Sequence, residues 1–189
     1  MTAMIVTGEL IASVRYILND MQGTSRSDFE IVEALNRGAS LLYTRMGEEF
    51  ISVAVKKSML VTVDGDTALP PDFHNVRKVR AENGLECAPT PTVAEHAGEY
   101  RIIGDRFEAA DGIYGVEYYY LPRRVSSADD PMDVPNSVRP YLEEIAVALL
   151  EGNAERAERG AQVCCHSLAG RELSRLHELG PVQVWGGRA

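Results

Sequence analysis

Several arrangements in this sequence hold residue types that can do chemistry. Asp72 and His74 stand two apart within Pro71–Asp72–Phe73–His74–Asn75. On a strand such a pair shares one face, and a carboxylate beside an imidazole is half of an acid–base or metal site. The favoured reading is a turn in which Asp72 caps backbone N–H groups and His74 is solvated, because no second set of ligands accompanies them. Cys164, Cys165 and His166 are consecutive. On a helix, neighbouring side chains diverge by about 100°, so the three cannot converge on one metal, and they read as core positions. Glu48–Glu49 and Asp129–Asp130 are adjacent carboxylates. Acid–base catalysis needs a pair that flanks a substrate, so these read as solvated charge. Arg77, Lys78 and Arg80, with Arg123 and Arg124, form the main basic clusters. They read as solvated charge, or as ion pairs to a neighbouring acidic subunit. His96 and His177 lie in polar stretches and carry no signal.

No phosphate loop of the Walker type, no G-x-S-x-G and no H-E-x-x-H occurs. Cys87 and the adjacent Cys164 and Cys165 are the only cysteines, an odd number without zinc spacing. That is no disulfide framework, and a reducing compartment such as bacterial cytoplasm is expected. The net charge of −9 argues against tight general binding of nucleic acid. It suits a surface that lets DNA pass without gripping it. No apolar run approaches the ~20 residues that span a bilayer. Met1–Val6 lacks a basic region followed by a long apolar one, so no signal peptide is expected.

The elements that must position these residues follow the order helix, helix, strands, helix, helix. Leu10, Ile11, Val14, Ile17 and Leu18 mark a helix over 9–20. The second, 27–46, opens on a capping box, Ser27 with Glu30, and Gly47 is its expected stop. Gly38 lies inside it, either as a neutral surface glycine or at a close helix–helix contact. Residues 50–121 read as β, with strands at Phe50–Val55, Met59–Val63, around Val76 and Val79, Tyr100–Ile103, Arg106–Ala109 and Gly115–Leu121. Asp64–Gly65–Asp66, Pro70–Pro71–Asp72 and Glu82–Asn83–Gly84 are turns, and 87–98 is a loop. Gly104–Asp105 suits a type II′ hairpin, with Gly115–Leu121 as the third strand of that meander. Tyrosines on both faces of that strand imply that both are covered. Residues 123–137 read as a surface loop. Helices over 138–151, with Pro140 in the first turn, and 154–179 complete the chain. The fold class is therefore α+β: a mainly helical bundle with a small antiparallel β-domain inserted. One domain over 1–180 and an extended tail over 181–189 are expected.

In this layout the chain resembles the tailed-phage head–tail adaptor family, also called head completion, gatekeeper or connector proteins. Three places carry the resemblance. They are the opening helix pair; the passage Met59–Phe73 with its Leu69–Pro70–Pro71–Asp72 turn; and Tyr120–Leu121–Pro122, followed by an acidic loop and Val134–Pro135 before the last helices.

The resemblance implies a structural virion protein of the neck, assembled in the host cytoplasm, without enzymatic activity or cofactor. It implies a homo-oligomeric ring, twelve-fold, that binds the portal and a tail tube or nozzle protein while genomic double-stranded DNA passes through. The tail, with Val182, Val184 and Trp185, fits a portal anchor. The walls between subunits are expected on the second and fourth helices, at Leu35, Gly38, Leu42, Leu168 and Leu176. Alternatives are another neck or tail ring, such as a terminator or stopper; a monomeric regulator that binds partner helices; and a small metal-dependent enzyme using Asp72 and His74.

Overall fold

A computed structural model of the chain describes residues 5–92, 94 and 98–178, with side chains as far as Ser174. Helix α1 spans Thr7–Ile17, two residues earlier than its apolar stripe suggests. Its first N–H groups have no side-chain cap. The backbone of Asp130 and Ala128 supplies acceptors instead, to Thr7 N at 3.1 Å and Gly8 N at 2.7 Å. Asn19, at φ +55°, turns the chain out of the helix. The buried Asp20 carboxylate then takes the N–H groups of Thr24, Ser25 and Arg26 and shapes the connection to α2.

Helix α2 runs Asp28–Glu48 behind the expected box: Ser27 Oγ accepts from Glu30 N at 3.2 Å, and Glu30 Oε2 accepts from Ser27 N at 2.8 Å. Gly47 does not stop it. It stays helical and buried because Tyr119 packs there, and a Cβ would stand 3.5 Å from the Tyr119 Cβ. The expected strand at Phe50–Val55 is largely absent. Phe50 adopts φ +58° and Ser52–Ala54 form a 3-10 turn.

The short strands β1 (Ile5–Val6) and β9 (Pro131–Met132) pair antiparallel. Strands β2 (Val55–Thr62), β4 (Phe73–Ala81) and β8 (Gly112–Tyr120) form an antiparallel sheet with β8 in the middle. Strands β3 (Asp66–Ala68), β5 (Ala88–Pro89), β6 (Glu99–Ile103) and β7 (Arg106–Ala109) make a second sheet, ordered β3-β7-β6-β5. Gly104 turns the β6–β7 hairpin at φ +59°, and Asp105 is not in the left-handed region, as type II′ requires.

Strand β8 is not the third strand of that meander. Four-residue β7 already has β6 and β3 on its edges, whereas nine-residue β8 finds partners of matching length in β2 and β4. Tyr118, Tyr119 and Tyr120 are all buried, so both faces of its end are covered.

Helices α3 (Arg139–Leu150) and α4 (Ala154–Glu178) follow, with Pro140 in the first turn of α3. Helix α3 packs between α2 and α4, and α1 lies against α3 and α2. The approach is close because Ile145 on α3 meets glycines from both sides. A Cβ on Gly38 would lie 3.1 Å from Ile145 Cγ2, and one on Gly160 would lie 3.0 Å from Cγ1. Residues 123–137 are more than a surface loop, since Val125, Met132 and Val134 are in the core. The observed class is α+β, and among the described residues no helix is long and apolar enough to cross a membrane.

Candidate functional site

The Asp72–His74 pair does not come together. Asp72 precedes β4, and the register of β4 slips between Phe73 and Asn75, which breaks the alternation that would put both residues on one face. His74 is exposed. The Asp72 carboxylate caps no backbone N–H; it binds Lys56 Nζ at 2.7 Å and the Tyr118 hydroxyl at 3.0 Å. Asp133 binds the same ammonium at 2.6 Å, and the ammonium sits 3.9 Å from the centre of the Tyr120 ring. Burial works against the Lys56 charge, but hydrogen bonds to Asp133 and Asp72 outweigh it and hold the lysine protonated. Burial, then the bond to Asp72, pushes the Tyr118 phenol up to about 12. Tyr120 in turn meets Tyr43 of α2, hydroxyl to hydroxyl at 3.3 Å. The cluster is a brace that ties β2, the Pro70–Asp72 turn, β8 and residue 133 to α2. Sequence reasoning missed it because Lys56, Asp72 and Asp133 are far apart along the chain.

Cys164 and Cys165 are fully buried, as expected of core positions, and burial pushes their thiols up to about 12 and about 11. His166 points outward, its Nδ1 3.0 Å from the Gln162 carbonyl. Among the described residues no three His, Cys, Asp or Glu side chains gather as a metal site. The carboxylate pairs separate in role. Glu48 pairs with Arg45 at 3.0 Å, while Asp130 takes the N–H groups of Ser126 and Ser127 in a tight turn. Several members of the basic clusters find partners in their own chain: Arg124 with Glu33 at 2.7 Å, Arg77 with Glu117 at 3.7 Å, and Lys78 with Glu86.

Leu35, Leu42 and Leu168 are enclosed within the protomer, and Gly38 is covered by Leu142 and Ile145. These four pack against their own chain. A lateral contact made by α2 or α4 therefore uses the outer residues of those helices. The side chain of Leu176, and Val182, Val184 and Trp185, lie outside the described residues.

Large apolar side chains stand exposed elsewhere. On β2 they are Met59 and Val61, with Val63 directly after the strand, each more than half exposed. At the α1–α2 connection they are Tyr16, Met21 and Phe29, and on α4 they are Val163 and Leu173. A strand at Met59–Val63 was visible in the sequence, but which of its two faces would be left open was not. A hollow of about 1000 Å³ lies between α2 and the Pro71 turn, with Arg37, Ser40, Phe73 and Arg123 on its walls.

An α+β fold whose polar cluster braces its parts, and whose outside carries apolar side chains on several faces, has the character of a protein that works by contact with partners. The model of a family described as SU10 adaptor protein matches residues 1–176, and the chain belongs to that family of phage head–tail adaptors. The family is structural and implies a place in the virion neck. No curated protein matches the chain.

Proposed function

We propose that the chain assembles into a ring that joins the portal to the tail and lets the genome through. The observation that carries this reading is the family match, which extends over 1–176 and so takes in every described element except the last two residues of α4. The twelve-fold order and the tail tube or nozzle partner come from the adaptor resemblance. A ring subunit needs two different lateral faces that close by rotation, and no reactive centre. The chain offers exposed apolar residues on separate faces, and a net charge of −9 that disfavours a grip on passing phosphates. The outer residues of α2 and α4 are the proposed walls. Residues 181–189, with Val182, Val184 and Trp185, are the proposed portal anchor. Electron microscopy of the protein mixed with its portal tests the reading, and a closed ring beneath the portal is expected. Deletion of 181–189 is expected to abolish that binding. Unchanged binding removes the anchor, and a portal left bare by the full chain removes the adaptor ring.

A further inference from the structure

We infer that the Val63–Asp66 turn of one copy enters the hollow between α2 and the Pro71 turn of the next copy. The inference rests on the ring reading above and names two surfaces that meet in it. The hollow, about 1000 Å³, has an apolar side made by Phe73, Leu121 and Pro122 and a cationic side made by Arg37, Arg123 and Arg124. Asp72 is the one carboxylate on its walls, and Lys56 and Tyr118 hold it. Arg124 pairs with Glu33. Arg37 and Arg123, both exposed, have no carboxylate partner among the described residues. With Lys56 and the carboxylates these cations hold counted in (Asp72, Asp133 and Glu33), the hollow is still net positive, on a chain whose net charge is −9.

The turn complements both sides of the hollow. Asp64 and Gly65 take φ of +57° and +86°, as the centre of a two-residue hairpin turn prefers. Val63 N donates to the Asp66 carbonyl at 3.4 Å, and Gly65 N donates to Asp111 Oδ1 at 2.9 Å. The tip is therefore preformed, and little ordering opposes its insertion. Asp66 pairs with Arg106, whereas Asp64 and Asp111, both exposed, pair with no cation among the described residues. Val63 beside them is 64% exposed. A guanidinium binds a carboxylate through two parallel N–H groups, so Asp64 and Asp111 suit Arg37 and Arg123 while Val63 meets the apolar side.

Other exposed apolar side chains have carboxylates nearby that their own chain already holds. Asp28 beside Phe29 pairs with Arg15, Glu48 and Glu49 before Phe50 pair with Arg45, and Glu86 after Leu85 pairs with Lys78. Glu172 beside Leu173 is bound by Ser52, and Ile103 has Asp105 alone. Placement makes the contact one between copies. Strand β8 starts at Gly112, next to Asp111, and its nine residues end at Tyr120, next to Leu121, which puts turn and hollow roughly 30 Å apart. Two different surfaces at opposite ends of one chain meet head-to-tail, as ring closure requires. A phosphodiester would satisfy the guanidiniums but leave the apolar side without a partner.

Arg123→Glu spoils the hollow and Val63→Lys spoils the turn, at exposed positions that leave the core alone. Each full-length variant, shown folded by circular dichroism, is expected to weaken self-association by about tenfold or more, in solution or on portal rings, because it sets like charges together. An equimolar mixture of the two is expected to form dimers that grow no further, because one intact turn and one intact hollow remain. A folded variant that assembles as the wild type does overturns the inference, and so does a mixture that stays monomeric. Duplex DNA held by the wild type and released by Arg123→Glu, with assembly unchanged, also overturns it. A wild type that self-associates neither alone nor on portal rings fails differently: it removes the ring reading itself.

Discussion

Asn36 on α2 holds the backbone of Val125 at both of its polar groups: Nδ2 donates to the Val125 carbonyl at 2.8 Å, and Oδ1 accepts the Val125 N–H at 2.9 Å. Both residues are buried. One amide side chain thus stands in for a strand partner and fixes the return path from β8 to the last helices. Asn36→Ala is expected to orphan both groups, at about 1–3 kcal/mol for each. Urea unfolding measures it, and a variant as stable as the wild type would show that the clamp contributes nothing.

The contact between Gly38 and Ile145 sets how closely α2 and α3 approach. A first carbon on Gly38 falls 3.1 Å from Ile145 Cγ2 and 3.2 Å from Leu142 Cδ1, both movable side-chain tips. Gly38→Ala is expected to stay within about 1 kcal/mol of the wild type, since better helix propensity offsets the crowding. Gly38→Val adds bulk that those tips cannot clear and is expected to cost about 1–3 kcal/mol. Denaturant midpoints of the two variants should separate in that order.

Acid should loosen the α1–α2 connection through Asp20. Burial opposes ionisation of this carboxyl, but N–H groups from Ser25, Arg26 and Thr24 outweigh it and hold the pKa at about 2, against an ordinary 3.8. A carboxyl with a depressed folded pKa contributes stability that is complete above its unfolded value and is lost as pH falls through the folded one. The loss therefore belongs between pH 3.8 and about 2. Melting temperature against pH is expected to fall less steeply across that window in Asp20→Asn, from a lower starting value. Parallel curves would exclude Asp20 from the acid response.

Thiol chemistry should report global opening of the helices. Cys164 and Cys165 are fully buried, with thiols held at about 12 and about 11, so little thiolate exists at pH 8. Reaction with a disulfide reagent is expected to be about 100-fold slower in the native protein than in denaturant. Fast labelling of either cysteine without denaturant would contradict the packing of α4 on α3.

The parts legible in the sequence are those governed by short-range physics. The Ser27–Glu30 box needs only residues three apart, and it forms as expected. The hairpin at Gly104 needs one residue that tolerates positive φ. The apolar stripes of α2 and α4 named the buried residues Leu35, Leu42 and Leu168 correctly as apolar and inward. The same stripes could not say whether the covering surface belonged to the chain itself or to a neighbour, because periodicity marks a buried face and not its partner. Gly47 shows the same limit: a glycine near a helix end suits a stop or a close contact, and Tyr119, 72 residues away, decided for contact.

The sequence alone determined the element order, the α+β class and, through that order, the adaptor family, since each depends on local pattern read along the chain. Only the tertiary structure decided that β8 lies between β2 and β4, that Lys56 joins Asp72 to Asp133, and that Met59, Val61 and Val63 are left outside. Those outcomes are set by which distant surfaces come together. That choice is a competition among many pairings of similar local pattern, and the closing of one core settles it.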